Sequence, residues 1–266
     1  MTRAPRWAAA AAMAAALVSA AVLGACHDLG TAPDGIVALT FDTLPYPSVV
    51  AGDTMRDSLG RAAKLNAIAF NADGKVITGA PVHYVALDTG VDITSGGYLV
   101  ATTRSGGTIR VIATATALQS LQKSITVTHE PTKVATTGKT ADTIKYALPD
   151  AASNVSSALT VKLTRDSAGA AVPVPGYLVS WQGQFHGTTM NQADTTLATI
   201  WDDATAKKAS TVDTTGADGT ASRVIRLHAN TLPVTADSLV LLASVRNRGA
   251  LVAGSPVRFV IQFRPK

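Results

Sequence analysis

Lys64-Leu65-Asn66-Ala67-Ile68-Ala69-Phe70-Asn71-Ala72-Asp73-Gly74 carries the pattern from which the rest of the chain can be read. Leu65, Ala67 and Ala69 alternate with Lys64, Asn66, Ile68 and Phe70, and a polar run then ends in Asp-Gly. Successive side chains on an extended backbone point to opposite faces, so a period of two marks a strand. Asp and Gly supply the local hydrogen bonds and the positive φ of a turn.

The same arrangement recurs on either side. Strands are expected at Ile36 to Phe41, Pro81 to Leu87, Tyr98 to Ala101, Thr108 to Thr116 and Ser120 to Thr128, with turn residues at Gly79-Ala80-Pro81, Ser95-Gly96-Gly97 and Ser105-Gly106-Gly107. After His129-Glu130-Pro131 a second cycle begins. It predicts strands near Asp142 to Ala147, Ser157 to Thr164, Tyr177 to Trp181, Thr220 to His228, Asp237 to Val245 and Pro256 to Phe263. No sustained helical stripe interrupts them; Thr54 to Ala63 has room for one helical turn at most. Short strands with regular turn punctuation point to antiparallel sandwiches.

The two cycles parallel each other. In both, a strand runs into an Asp/Gly turn, a Pro-containing link, and a strand bearing a large aromatic, Tyr84 in the first and Trp181 in the second. Gly107-Thr108-Ile109-Arg110-Val111-Ile112-Ala113 matches Gly219-Thr220-Ala221-Ser222-Arg223-Val224-Ile225. Repetition at this spacing means two similar domains, with Tyr84 and Trp181 expected in their cores.

Val49 to Thr54, Ala67 to Val82 and Gly107 to Ala115 resemble a bacterial immunoglobulin-like domain. Leu159 to Gly169, Val179-Ser180-Trp181 and Ala217 to Ala221 resemble the invasin/intimin-type group of that superfamily. The resemblance implies an all-β chain of two tandem immunoglobulin-like sandwiches, at residues 36–129 and 130–266. The second departs from the pattern in a polar insertion at about 182–215. Relatives of this kind serve mostly as envelope modules for spacing, adhesion or carbohydrate contact, and fold alone does not choose among these.

The beginning of the chain carries a different message. Arg3 and Arg6 precede an uncharged, Ala-rich run from Trp7 to Ala25, the layout of a secretory signal at residues 1–25. It exits through Leu23-Gly24-Ala25-Cys26, which resembles the lipobox of bacterial lipoproteins. That implies cleavage before Cys26, lipid on its sulfur, and a membrane as partner through that lipid. Cys26 is the only cysteine of the 266 residues, so no disulfide can brace the fold. Residues 26–35, Gly- and Pro-containing and without periodicity, read as the lipidated cysteine and a short tether. The residue after the anchor is His27 rather than Asp, which under the same resemblance favours a cell-envelope location at the outer membrane over the inner one.

Charge excludes one large class of partner. The net charge of +5 includes Arg3 and Arg6, and the remaining positive charge is scattered, with Lys207-Lys208 the longest basic run. No nucleic-acid partner is expected. The five histidines, His27, His83, His129, His186 and His228, lack metal-site spacing, and no Gly-x-Ser-x-Gly elbow or phosphate-cradling loop is present. Asp202-Asp203 has no spaced series of oxygen ligands around it. Neither a metal site, a cofactor nor a catalytic constellation is predicted, and the chain is not read as an enzyme. Trp201, with Phe185 and His186 near it in sequence, is the candidate binding surface for a cell-surface protein or glycan. Two functions stand: a non-catalytic lipid-anchored module for spacing or adhesion, and a carbohydrate- or protein-binding lipoprotein using the 182–215 insertion.

Overall fold

The computed structural model of the chain describes residues 35–102, 106–191, 197–203, 207–229 and 235–266. Among them every regular element is a strand apart from a 3-10 residue at Ala229, and there is no α-helix. No helix among the described residues is long and apolar enough to cross a membrane. The backbone divides into two compact units.

The smaller unit takes residues 35–41, 67–83 and 113–121. Strand Ala38–Thr40 pairs antiparallel with Ile68–Phe70, and Phe70 bridges onward to Val76 across the Asn71-to-Lys75 turn. Asn71 builds that turn: its side-chain oxygen accepts from the Asp73 and Lys75 N–H groups. A short hairpin, Ala115 opposite Leu118, completes the unit.

The larger unit contains a sheet in the order Ser48–Val50, Lys123–Thr128, Thr108–Ala115 and His83–Ala86, to which Thr108–Ala115 contributes residues 108–112. Buried Val49, Ile109, Val111, Ile125 and Val127 form its inner face. Tyr84, expected in the core, is only half-buried. Its strand is the edge of the sheet, so the inner face there meets fewer neighbours. The Thr54-to-Ala63 segment, where one helical turn had room, is a β-bridged loop instead: Thr54 pairs with Val100 and Arg56 with Ala62.

The remainder of the larger unit is a complete two-sheet sandwich. One sheet runs Lys133–Thr136, Leu159–Ser167, Thr220–Leu227, Ala198–Trp201. The other runs Ala141–Tyr146, Val257–Pro265, Asp237–Ser244, Leu178–Phe185, Thr188–Thr189. The first segment of chain serves both sheets. Lys133–Thr136 pairs with Leu159–Ser167, and past Gly138 the chain crosses so that Ala141–Tyr146 lies parallel to Val257–Pro265. This is the strand order of an immunoglobulin sandwich. Alternation along each strand fills the core with Val161, Leu163, Val179, Ile225, Leu239, Leu241, Phe259 and Ile261. Trp181 lies among them, its ring stacked at 6.1 Å on Phe259. It occupies the strand where many immunoglobulin domains set a Trp against a disulfide; here its ring meets Phe259, two strands away in the same sheet. Truncating such a ring to Ala costs about 3–5 kcal/mol.

The polar insertion is irregular but anchored. Leu178–Phe185 continues past Trp181 and turns back through His186-Gly187 into Thr188–Thr189. Both turn residues have positive φ, +49° and +80°, the geometry of a tight type I′ hairpin. Val212–Thr214 then returns to Leu178–Phe185.

Candidate functional site

Polar side chains in the larger unit concentrate at two places. The first joins the loop at residues 53–61 to the hairpin at 246–251. Asp53 accepts two hydrogen bonds from Arg56 (2.9 and 3.0 Å) and one from Arg248 Nε (3.0 Å), while also accepting from the Thr54 N–H. Partial burial pulls the Asp53 carboxyl up, but the Arg56, Thr54 and Arg248 donors outweigh it and hold the group below the usual carboxylate range. Arg248-Gly249 forms the turn of the 246–251 hairpin, with φ of +48° and +86°.

Around this clamp the contacts are close. Tyr46 packs edge-on against Tyr177, 6.0 Å between centroids, and its hydroxyl accepts from the Leu178 N–H. Burial, and the neighbouring Tyr177, push the Tyr46 phenol far above its ordinary value. The Tyr177 hydroxyl donates to the Arg246 carbonyl, Asn247 donates to Glu130, and Thr128 donates to the Pro175 carbonyl at 2.6 Å. A small cavity of about 30 Å³ lies between Tyr46, Asp53, Arg56, Tyr177 and Arg248. The clamp is built to hold backbone segments together.

The second cluster covers the outer face of the sheet that contains Ala198–Trp201. Arg226, almost fully buried, donates to both oxygens of Asp150 at 3.0 and 2.7 Å. Asp150 also accepts from the Ala229 N–H and the Asn154 amide. His228 Nε2 lies 2.9 Å from the Thr199 hydroxyl, and its Nδ1 lies 3.9 Å from Asp150 Oδ2. Hydroxyl, imidazole and carboxylate in this order have the composition of a nucleophilic triad. The surroundings argue against that chemistry. Thr199 is 4% exposed between core residues Ala198 and Ile200, so its oxygen offers no approach to a substrate. Asp150 is committed to Arg226, and 3.9 Å is beyond a hydrogen bond to the imidazole. Burial and the Arg226 charge lower the His228 pKa, with Asp150 opposing them only in part. The imidazole is a neutral hydrogen-bond partner in a structural network.

Trp201, Phe185 and His186 are not brought to one place. The Trp201 ring lies over the Arg226 guanidinium, 5.8 Å to the centroid, on one sheet. Phe185 and His186 stand at the end of the other, their rings stacked at 3.9 Å, with His186 Nε2 3.0 Å from Asp237. Beside Asp237 an open groove of about 410 Å³ passes Thr143, Gln262 and Arg264. Asp202 closes a turn by accepting from the Asp203 and Lys208 N–H groups. Among the described residues no three His, Cys, Asp or Glu side chains converge as a metal site. Leu23, Gly24, Ala25 and Cys26 lie outside the described residues.

Sequence reasoning missed both clusters. Asp53 and Arg248 are far apart in the chain, as are Asp150 and Arg226, and a single sequence carries no signal that pairs them. The Arg248-Gly249 dipeptide was a partial hint to the first cluster, since the type I′ turn that it forms needs positive φ at both positions.

No family model and no curated protein matches the chain. Among solved structures, domains 4 and 5 of the S-layer protein SbsC are similar over 85% of this chain and 96% of theirs, at 13% identity and a TM-score of 0.28. The Yersinia pseudotuberculosis adhesin InvE is similar over 85% of this chain and 58% of its own, at 12% identity and a TM-score of 0.32. The D00-D0 domain of intimin covers 85% and 99%, at 12% identity and a TM-score of 0.26. Superposition this loose carries no argument, and the reading of the sandwich rests on its own strand order.

Proposed function

We propose that the chain is a non-catalytic, lipid-anchored cell-envelope protein that displays two immunoglobulin-like modules, residues 36–129 and 130–266, for spacing or adhesion. The observation that carries this reading is the Asp53–Arg56–Arg248 clamp with its Tyr46–Tyr177 contact. It ties the 53–61 loop to the 246–251 hairpin within the larger unit, which supports a spacing element over a flexible linker. The Leu23-Gly24-Ala25-Cys26 exit supports the anchor. The test is mass spectrometry of the mature N-terminus together with protease accessibility on intact cells, using a tag after Lys266 and a periplasmic control. A lipid-modified Cys26 and a tagged chain cleaved while the control survives are expected for surface display. An unmodified Cys26 would overturn the anchor. Full protection of the tagged chain would restrict the modules to the periplasm.

A second reading has its own support. The exposed His186 ring stacked on Phe185, beside the groove of Asp237 and Gln262, is the aromatic-plus-polar surface that glycans and protein loops use. A His186→Ala variant that folds normally but loses binding to envelope glycans or whole cells would move the function to this edge.

A further inference from the structure

The smaller unit is unusual in charge. Apart from His83, Asp73 and Lys75 are the only acidic or basic side chains among its described residues, and they pair with each other at 4.0 Å. It nevertheless exposes Val37 by 46%, Ile68 by 38%, Val76 by 59% and Leu121 by 87%. Register decides where four of its apolar side chains point. Ala38 faces Phe70, Thr40 faces Ile68, and Phe70 bridges Val76, so all five share one face of the little sheet. The opposite face carries Leu39 and Ala69, and Ala69 is buried. The usual alternation is thus broken: the outward side, which in a solvated antiparallel sheet is polar, is almost wholly apolar here.

Position in the chain names the occupant. Ala38 follows Cys26 by 12 residues, which span at most roughly 40 Å whatever path they take. We infer that the Ala38–Ile68–Phe70–Val76 face rests on the lipid bilayer to which Cys26 is attached. This rests on the lipid-anchor reading. Tethering at such range raises the local concentration to the millimolar scale, so a contact too weak to hold a free protein becomes populated. The face carries no surplus of Lys or Arg. Its attraction is therefore apolar burial, independent of anionic headgroups and only weakly sensitive to salt. The lipid supplies attachment and the apolar face supplies the orientation of the smaller unit on the membrane.

The test uses the full lipidated chain, extracted from membranes and reconstituted in phosphatidylcholine vesicles. A lipidated Cys26 has no free thiol, so the parent protein takes no maleimide dye; labelling of the parent would overturn the anchor reading on its own. A single Val76→Cys variant is then labelled with an environment-sensitive dye, with Val212→Cys, an exposed site in the larger unit, as the control. The expected result is blue-shifted emission and severalfold stronger quenching by nitroxide-bearing lipid at position 76 than at 212, unchanged in high salt. Equal quenching at 76 and 212 overturns the docking. A shift that grows with protein density at fixed lipid means that a second copy covers the face, and overturns it as well.

Discussion

Gly60 and Gly249 meet backbone to backbone, so closely that a Cβ on Gly60 would overlap the peptide between Arg248 and Gly249. The loop bearing Asp53 and Arg56 and the turn bearing Arg248 can approach only because Gly60 lacks a side chain. Gly60 also has a φ of +82°, which an L side chain adopts at a cost.

Gly60→Ala should therefore separate the loop from the turn and break the Arg248–Asp53 bond. The expected loss is about 1–3 kcal/mol, strain and clash together. Spin-label distances between the 53–61 loop and Val257–Pro265 should broaden. An unaltered melting temperature with an unchanged, narrow distance distribution would show that the clamp does not hold the loop in place.

Asp150→Asn leaves the Arg226 guanidinium buried without its counter-charge. Removing one partner of such a pair costs about 3–5 kcal/mol. Thr199→Val, which removes only the hydroxyl that meets His228, should cost about 1 kcal/mol. Chemical denaturation of the two variants measures the difference, and equal effects would deny Asp150 its central place in the network.

Acidification should destabilise the fold in two steps. Burial lowers the His228 and His129 pKa values below the ordinary 6.5, helped by Arg226 and Arg165 respectively. The fold prefers their neutral forms, so stability is whole above the ordinary histidine value and declines as the pH falls through it toward the lowered folded values. For Asp53 and Asp150, burial pulls upward but their donors prevail, and both folded values lie below the ordinary 3.8. Their contribution is complete above the ordinary carboxylate range and is lost as the pH falls through the folded values. Thermal unfolding across this range should show both steps, and His228→Gln should shrink the first without touching the second. A melting temperature flat from neutral pH down to the carboxylate range would contradict the histidine part.

Trp201→Ala removes the ring over Arg226. The expected loss is about 0.5–2 kcal/mol for a partly desolvated cation–π contact, with the sandwich intact by circular dichroism. If the variant keeps its stability and loses attachment to cells or glycans, the Trp201 ring serves a ligand and the 182–215 insertion regains its candidacy.

Periodicity read most of the strands correctly because long strands with one buried face cannot hide their alternation. Thr108–Ala115, Thr220–Leu227, Asp237–Ser244 and Val257–Pro265 lie within a residue or two of their expected positions. Ser48–Val50, Val91–Ile93, Lys133–Thr136 and Ala198–Trp201 escaped. Three or four residues cannot display a period, and Ser48–Val50 directly follows Pro45 and Pro47. Trp181 was legible as a core ring, since strand and aromatic coincide. Trp201 was legible only as an oddity in a polar stretch, because its partner Arg226 belongs to a strand beyond the insertion. The apolar face of the smaller unit was hidden in plain view: Ile68 and Phe70 already stand on the polar side of the Lys64-to-Phe70 alternation.

The last strand of the sandwich, Val257–Pro265, is interior to its sheet, held by Asp237–Ser244 on one edge and by Ala141–Tyr146 on the other. Polypeptide is delivered in order, whether from a ribosome or through a narrow export channel. Until residue 265 has emerged, Ala141–Tyr146 has no strand to lie beside and the cluster of Phe259, Ile261 and Phe263 is missing from the core. Closure of the sandwich then waits for delivery of this strand. A chain stalled or clipped before Val257 presents two raw sheet edges and an open apolar trough, the form that quality-control proteases recognise.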